Sequence, residues 1–224
     1  MLQSHRPTSA IRSTLTSLGR SRSGFLAWVT GGHIVVHWYV AVFALALPYL
    51  KEELGLTPVE VGAITTVMMG VASGLLLVSG YVADTFRSRG RLILVLSIVV
   101  FGLGYLMLGA LESYGWALVA AGLVGLAIAL WHPSAMGSLS IKFPDRRGMA
   151  LSVHGVGASV GDSLGPLAIG AVILLVDWRI AFQVHLAPAL LFAVVLWLGL
   201  KTSQQASDES GGSVRPGSPT TCGA

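Results

Sequence analysis

Residues 92–111 read LILVLSIVVFGLGYLMLGAL, a run of twenty residues without a charged side chain. Three arginines lie within the five residues before this run, and Glu112 follows it directly. Twenty residues of α-helix rise about 30 Å, which matches the thickness of the hydrocarbon core of a bilayer. The run therefore predicts a transmembrane helix, and this sets the class of the fold.

The composition of the whole chain agrees with this prediction. Of the 224 residues, 54% are hydrophobic and only 11% are charged, and the mean hydropathy is +0.76. A soluble domain usually carries about a quarter charged residues, so the composition excludes a soluble globule. The net charge is +4. The basic residues lie at the edges of apolar runs rather than in a patch with interleaved aromatics, so we expect the lipid bilayer, and no nucleic acid, as a partner.

Short polar turns divide the chain into six apolar runs. A threonine, a proline and a glutamate at Thr57, Pro58 and Glu60 form a capping-box signature at the start of the second run. Runs of this length satisfy their backbone hydrogen bonds as helices, whereas barrel strands are about half as long and alternate in polarity. We predict an all-α polytopic membrane protein with six transmembrane helices, at residues 25–50, 58–82, 92–111, 115–138, 149–176 and 180–200.

The positive charges predict the orientation of the chain. Twelve of the fourteen lysines and arginines fall on one side of the predicted bundle, and only Lys51 and Arg179 fall on the other. By the positive-inside rule we expect a multi-pass protein of the cell membrane with both termini in the cytoplasm. Residues 1–24 would be a cytoplasmic tail, although their arginines and serines also fit an organelle transit peptide. Residues 201–224, rich in Ser, Gly, Thr and Pro, are predicted to be a disordered cytoplasmic tail.

The turn between spans two and three carries a recognisable motif. Gly80, three residues, Asp84 and then a basic stretch with Arg87, Arg89 and Arg91 follow one another. This pattern resembles the signature of the major facilitator superfamily of transporters. The resemblance implies a conformational switch, in which the aspartate and arginines form a charge cluster that is made in one conformation and broken in another. An ion pair at the membrane edge suits such a switch because water can replace it after a modest rearrangement.

Three further stretches are similar to the fosmidomycin-resistance-like branch of that superfamily. They are His132-Pro133 in span four, the Asp-Arg-Arg-Gly stretch at 145–148 that enters span five, and a glycine-rich span five that reaches Gly165-Pro166. The resemblance covers residues 32–200. It implies the N-terminal six-helix half of a major-facilitator fold, which would need a second six-span half, as a homodimer or as a separate chain.

Ionisable side chains inside the spans are the candidate functional residues, because such groups are costly in hydrocarbon unless they face a cavity or a partner. The candidates for binding a proton or the substrate are His33, His37, His132, His154 and Asp162. A histidine titrates near neutral pH and can carry a proton or bind an anion. Three alternatives stay open: hydrogen bonding of single histidines to neighbouring helices, a position of His33 and His37 near water, and a position of His185 near the outer interface.

Glycines and prolines in spans four and five predict close packing and bends. Gly157, Gly161 and Gly165 repeat every four residues, which lets another helix approach closely, either within these six spans or in a second half. Pro133 and Pro166 each remove a backbone hydrogen bond and are expected to kink their helices.

The leading functional hypothesis is a half-length secondary transporter that moves or exports a small solute by alternating access, with coupling to protons. One alternative is a non-transporting or truncated membrane subunit. A second alternative is an intramembrane serine protease built on Ser159 and His185. We expect, however, that the chain is not an enzyme. No cofactor is expected and no metal site is predicted. Cys222 is the sole cysteine, which excludes a disulfide framework and a thiolate metal site within the chain.

Overall fold

A computed structural model of the chain describes residues 22–211, and the described residues form helices without any strand. The helices are Arg22–Leu54, Pro58–Gly74, Leu76–Thr85, Gly90–Gly109, Tyr114–Lys142, Arg147–Ile173, Trp178–Gln183 and Leu186–Gly211, with a 3-10 turn at Arg87–Arg89.

Six stretches of these helices are long and apolar enough to cross a membrane, which confirms the predicted all-α class with six spans. We number them in chain order: span one is Arg22–Leu54, span two Pro58–Thr85, span three Arg87–Gly109, span four Tyr114–Lys142, span five Arg147–Ile173 and span six Trp178–Leu200.

The turn between spans one and two is fixed by local hydrogen bonds. Gly55 has a φ of 62°, and the N–H of Leu56 donates to the carbonyl of Lys51 over 2.9 Å, as in a Schellman motif. The predicted capping box is confirmed, because the Thr57 side chain accepts from the N–H of Glu60 and the Glu60 side chain accepts from the N–H of Thr57. Span one therefore ends and span two begins within four residues.

Spans two and six are each interrupted, although the sequence predicts them as single helices. Span two breaks at Leu75, directly after Gly74, a residue type that weakens helices. Span six breaks at Val184 and His185. Pro188 has no N–H to donate to the carbonyl of Val184, and the N–H of Ala187 donates there instead, over 3.1 Å. Spans four and five are continuous through Pro133 and Pro166.

Span one packs chiefly against span five, span four against spans two and three, and span three against span six. The glycine stripe of span five forms the seam with span one. A Cβ atom added at Gly157 would lie 2.9 Å from the carbonyl oxygen of Thr30, and one added at Gly165 would lie 3.0 Å from that of Trp38. The stripe is therefore used for packing within these six spans.

Ion pairs tie the spans together at both ends of the bundle. At one end, Arg22 of span one donates to Asp145 of the turn between spans four and five over 2.9 Å. At the other end, Arg179 of span six pairs with Glu53 of span one and donates to the carbonyl of Leu111 over 2.8 Å. The first pair links span one to the turn after span four, and the second links span one to span six.

The end of the last helix differs from the prediction. Disorder was expected from residue 201 onward, but the helix continues to Gly211. Residues 202–210 contain neither glycine nor proline, and the first helix-breaking pair is the two glycines at 211–212. Most of the predicted N-terminal tail, and residues 212–224 of the C-terminal one, lie outside the described residues.

Candidate functional site

The five predicted cavity residues meet in one cluster, which we call the histidine cluster: His33 and His37 of span one, His132 of span four, and His154 and Asp162 of span five. His33 lies at its centre. Its ring is stacked on that of His154 with the centroids 3.8 Å apart. It meets the rings of His37 and His132 edge-on, at 4.6 and 5.4 Å. Residues that are 121 positions apart in the sequence, such as His33 and His154, are thus in direct contact.

The spacing of the residues along their helices explains why they meet. His33 and His37 are four residues apart, so they lie on one face of span one. The glycine seam holds span five against that same face, because a Cβ atom added at Gly161 would lie 2.9 Å from the Cβ atom of His37. A neighbouring glycine contact, between Gly32 and the ring of Trp131, brings span four close to span one next to His132. The small residues of the two seams therefore position the imidazoles.

Backbone carbonyls fix the protonation of two of the rings. Nδ1 of His33 donates to the carbonyl of His154 over 2.7 Å, and Nδ1 of His132 donates to the carbonyl of Ile128 over 3.0 Å. A carbonyl oxygen can only accept, so in each neutral ring Nδ1 carries the proton and Nε2 carries a lone pair. The two Nε2 atoms face each other 3.5 Å apart.

The cluster is closed on one side and open on the other. The residues His33 and His154 are 5% and 3% exposed. The side chains of His37 and Asp162 are 22% and 50% exposed and are joined by a contact of 3.0 Å between Nδ1 and Oδ1. A solute or ion therefore has access to the cluster from the side of Asp162.

The ring of His154 is the least firmly held of the cluster, because it interacts with the backbone of Val29 without the geometry of a normal hydrogen bond. Both of its ring nitrogens are buried and make no hydrogen bond of normal geometry to a described residue. A buried polar group without a partner is costly. Its ring instead lies flat against that of His33, with 5° between the two planes.

His185 lies apart from the cluster and has a structural role. Its Nδ1 donates to the carbonyl of Ala181 over 2.7 Å, and its Nε2 accepts from Nε1 of Trp38 over 3.3 Å. Its backbone carbonyl accepts from the hydroxyl of Tyr39 over 2.6 Å, and the hydroxyl of Tyr105 donates to the carbonyl of Tyr39. This network joins spans one, three and six in the protein interior, and sequence reasoning missed its two tyrosines and its tryptophan. The only signal for them was hydroxyl and indole groups within apolar runs.

The hydrogen bonds of the His185 ring also argue against the protease alternative. Both ring nitrogens of His185 are occupied by Trp38 and Ala181, so neither is available to activate Ser159. The described contacts of the Ser159 backbone are helical, with its carbonyl accepting from the Ser163 hydroxyl over 2.8 Å.

The predicted switch residues divide into a pair and two separate arginines. Nη2 of Arg87 lies 3.5 Å from Oδ1 of Asp84. Arg89 lies over the ring of Phe86 at 5.6 Å, and Arg91 lies over the ring of Trp197 at 3.8 Å. Arg87 is therefore the arginine that pairs with Asp84, while Arg91 ties the turn to span six.

A small cavity adjoins this pair. Its volume is about 170 Å³, and it lies between the turn and span four, with Gly80, Asp84 and Arg87 on one side and Pro133 and Ser138 on the other. The turn thus borders the same helix that carries His132. A second cavity, of about 410 Å³, lies between spans one and six, is almost wholly apolar, and has Trp38 and His185 in its lining. The histidine cluster does not line either cavity.

Comparison with known proteins places these features in context. Residues 29–220 match the family model of the Major Facilitator Superfamily. The chain is 30% identical over 158 residues to a fosmidomycin resistance protein of Escherichia coli, covering 70% of this chain and 38% of the relative. It is 33% identical over 156 residues to a puromycin resistance protein of Streptomyces alboniger, covering 69% of this chain and 30% of the relative.

A galacturonate transporter of Dickeya chrysanthemi is 28% identical over 172 residues, which cover 76% of this chain and 49% of the relative. The chain therefore spans less than half the length of these curated relatives.

Proposed function

Because the chain belongs to the major facilitator superfamily, we propose that it forms the N-terminal six-span half of a secondary transporter. In this proposal the six spans rock against a second six-span half and expose a solute site alternately to the two sides of the membrane. The chain is a multi-pass membrane protein. We propose that it lies in the cell membrane with both termini in the cytoplasm, because the basic turns lie at one end of the bundle.

The observation that carries the proposal is the histidine cluster. Four imidazoles and one carboxylate converge between three membrane-spanning helices, in which ionisable groups are rare and costly. Its open side, at His37 and Asp162, gives a polar solute a place to bind. The Asp84–Arg87 pair and its cavity supply the second element of the proposal, a charged contact beside span four that rocking can break and remake.

The proton is the coupling ion that we propose. Sodium ions are hard cations that bind through several oxygen ligands. In the described cluster imidazole nitrogens predominate and Asp162 is the one carboxylate, so protons fit its ligand chemistry better than sodium ions. The direction that we propose is export, because two of the relatives are named as resistance proteins.

The test is a resistance assay in a susceptible Escherichia coli strain. The chain would be produced alone and together with the C-terminal six spans of the fosmidomycin resistance protein, and growth would be scored against fosmidomycin and puromycin. We expect the chain, alone as a homodimer or with that second half, to raise the inhibitory concentration of at least one compound. Asp162→Asn should remove this effect at equal protein level, and a protonophore should abolish efflux.

A flux assay in membrane vesicles gives the result that would overturn the transport proposal. If the chain reaches the membrane but drives no flux of fosmidomycin, puromycin or galacturonate in either pairing, the transport proposal is wrong. A non-transporting subunit would then be the better account.

A further inference from the structure

Three imidazole nitrogens converge inside the bundle in a way that the transport proposal does not require. One ring nitrogen each of His33, His37 and His132 lies within 4.8 Å of the other two. The Nε2 atoms of His33 and His132 are 3.5 Å apart. Two nitrogens bound to one tetrahedral zinc ion, at about 2.0–2.1 Å from it, lie about 3.3–3.4 Å apart. The observed separation is therefore close to that of two ligands of a single ion.

One nitrogen of each ring is already held by a hydrogen bond. Nδ1 of His33 and of His132 donates to a backbone carbonyl, and Nδ1 of His37 donates to the carboxylate of Asp162. Histidines that bind metals almost always donate their other N–H to a carbonyl or a carboxylate, which fixes the tautomer and orients the ring. The rings of His33 and His132 have that arrangement, and the ring of His37 is held at Asp162 through its Nδ1.

The facing lone pairs of His33 and His132 point to a cation between them. With both Nδ1 atoms protonated, neither Nε2 of the neutral rings has a hydrogen to offer the other, so the pair at 3.5 Å is not a hydrogen bond. A positive ion between the two nitrogens turns this unfavourable contact into a favourable one. His154 stacks on His33, with the ring centroids 3.8 Å apart, so a further imidazole lies behind the site.

We propose that His33, His37 and His132 bind one divalent transition-metal ion of the zinc class, with a fourth position left for water or a solute. Imidazole is a preferred ligand of zinc, copper, nickel and cobalt. Two histidines four residues apart on one helix are a recurrent zinc-binding pair, and His33 and His37 have that spacing. The carboxylate of Asp162 offsets part of the ion's charge, and its exposed side gives the ion an entry path.

The sequence alone predicts no metal site, because His132 lies 99 residues from His33 in the chain and meets the histidines of span one only in the fold. The proposal rests on the geometry of the three rings and not on the transport proposal. Binding can therefore fail while transport stands, and transport can fail while binding stands.

The experiment measures binding of zinc and cobalt to the purified full chain, produced without a histidine tag and stripped with a chelator. Calorimetry with Zn²⁺ gives the stoichiometry and affinity, and the visible absorption of Co²⁺ reports the coordination geometry. We expect one ion per chain and a tetrahedral cobalt spectrum. His132→Ala should abolish saturable binding. Asp162→Asn keeps all three ligands and should weaken binding by about tenfold, as loss of an outer-shell carboxylate does in other sites.

His5→Ala is the matched control, because it removes a histidine of the tail and leaves the cluster intact. It should bind zinc like the wild type. Absence of saturable zinc binding to the wild type would overturn the proposal, as would loss of binding in His5→Ala or unchanged binding in both cluster variants. If His132→Ala does not fold, as judged by its elution profile in detergent, the Asp162→Asn affinity decides the matter.

Discussion

His33 and His185 show how the surroundings of a single residue set its role. Both are buried histidines, and both donate through Nδ1 to a backbone carbonyl. The Nε2 of His185 is satisfied by the indole N–H of Trp38, whereas the Nε2 of His33 faces another imidazole nitrogen. The first histidine completes a closed network, and the second leaves a site that a ligand can complete.

This contrast predicts that His185→Leu affects stability and not binding. The substitution leaves the part-buried N–H of Trp38 without an acceptor, which costs at most about 1–3 kcal/mol. For a chain of this size we expect the apparent melting temperature to fall by roughly 2–4 °C per kcal/mol. Thermal denaturation in detergent measures the loss, and zinc binding should match that of the wild type. Unchanged stability together with altered flux or binding would give His185 a functional role instead.

Asp145 gives a prediction for acid pH at the end of the bundle where it pairs with Arg22. The carboxylate accepts a hydrogen bond from its own backbone N–H, and the charge and hydrogen bond of Arg22 and the charge of Arg146 add to this, so the pKa of Asp145 lies below its ordinary value of 3.8. Because the pKa is lowered in the folded state, the stabilising contribution is present above the unfolded value and is lost as the pH falls through the folded one.

We therefore expect Asp145→Asn to lower the melting temperature slightly at neutral pH, with the difference from the wild type shrinking below about pH 4. A melting series from pH 7 to pH 3 in detergent checks this. A difference that grows as the pH falls would show that the sign is wrong.

At the scale of elements, the seam between spans one and five is the contact that positions the histidine cluster. Its glycines meet backbone atoms, which cannot move aside as a flexible side chain can. A Cβ atom added at Gly161 would lie 2.8 Å from the backbone nitrogen of Trp38 and 2.9 Å from the Cβ atom of His37. Any larger residue at this position must therefore push the two helices apart.

The predicted effect of Gly161→Ala is a loss of stability of about 1–3 kcal/mol, the usual cost of overpacking. Gly155→Ala is the matched control in the same helix, because no heavy atom lies within 4 Å of a Cβ atom added there. Alanine is the better helix former, so the control should be neutral or slightly stabilising. Melting curves of the two variants, side by side, test the seam. Equal stability of the two would mean that spans one and five are not in close contact.

The sequence predicted the spans well and their interruptions poorly, for a physical reason. Apolar runs between charged turns mark a membrane helix whatever its neighbours are. The breaks at Leu75 and at Val184 depend on how local backbone hydrogen bonds are redistributed around a glycine or a proline. The sequence contains the same residue types at Pro133 and Pro166, where the helices run on without a break. Residue type alone therefore does not separate the two outcomes.

The same limit applies to the histidine cluster at the scale of the whole molecule. The five members were identified as ionisable side chains within apolar runs, because such side chains need partners wherever they lie in the fold. Which nitrogen faces which partner depends on the rotation of spans one, four and five about their axes. That rotation is set by contacts such as Gly32 with Trp131, and the sequence does not show them.

The proposed orientation of the whole molecule can be tested with the chain's own cysteine. Cys222 is the sole cysteine and lies in the C-terminal tail. If both termini are cytoplasmic, a membrane-impermeant maleimide should label Cys222 in inverted vesicles and not in intact cells. A second variant that combines Cys222→Ser with Glu112→Cys, in the exposed turn between spans three and four, should label in intact cells. The reverse pattern in both would place the termini outside.

The close contact between spans one and five limits the directions from which a solute can reach the histidine cluster. Spans one and five meet through backbone atoms behind His33 and His154, so helix packing closes this side of the cluster. In the transporter that we propose, a solute would therefore enter and leave the cluster on the side of Asp162. Its release on the other side of the membrane would require the whole bundle to reorient so that this side faces the other compartment.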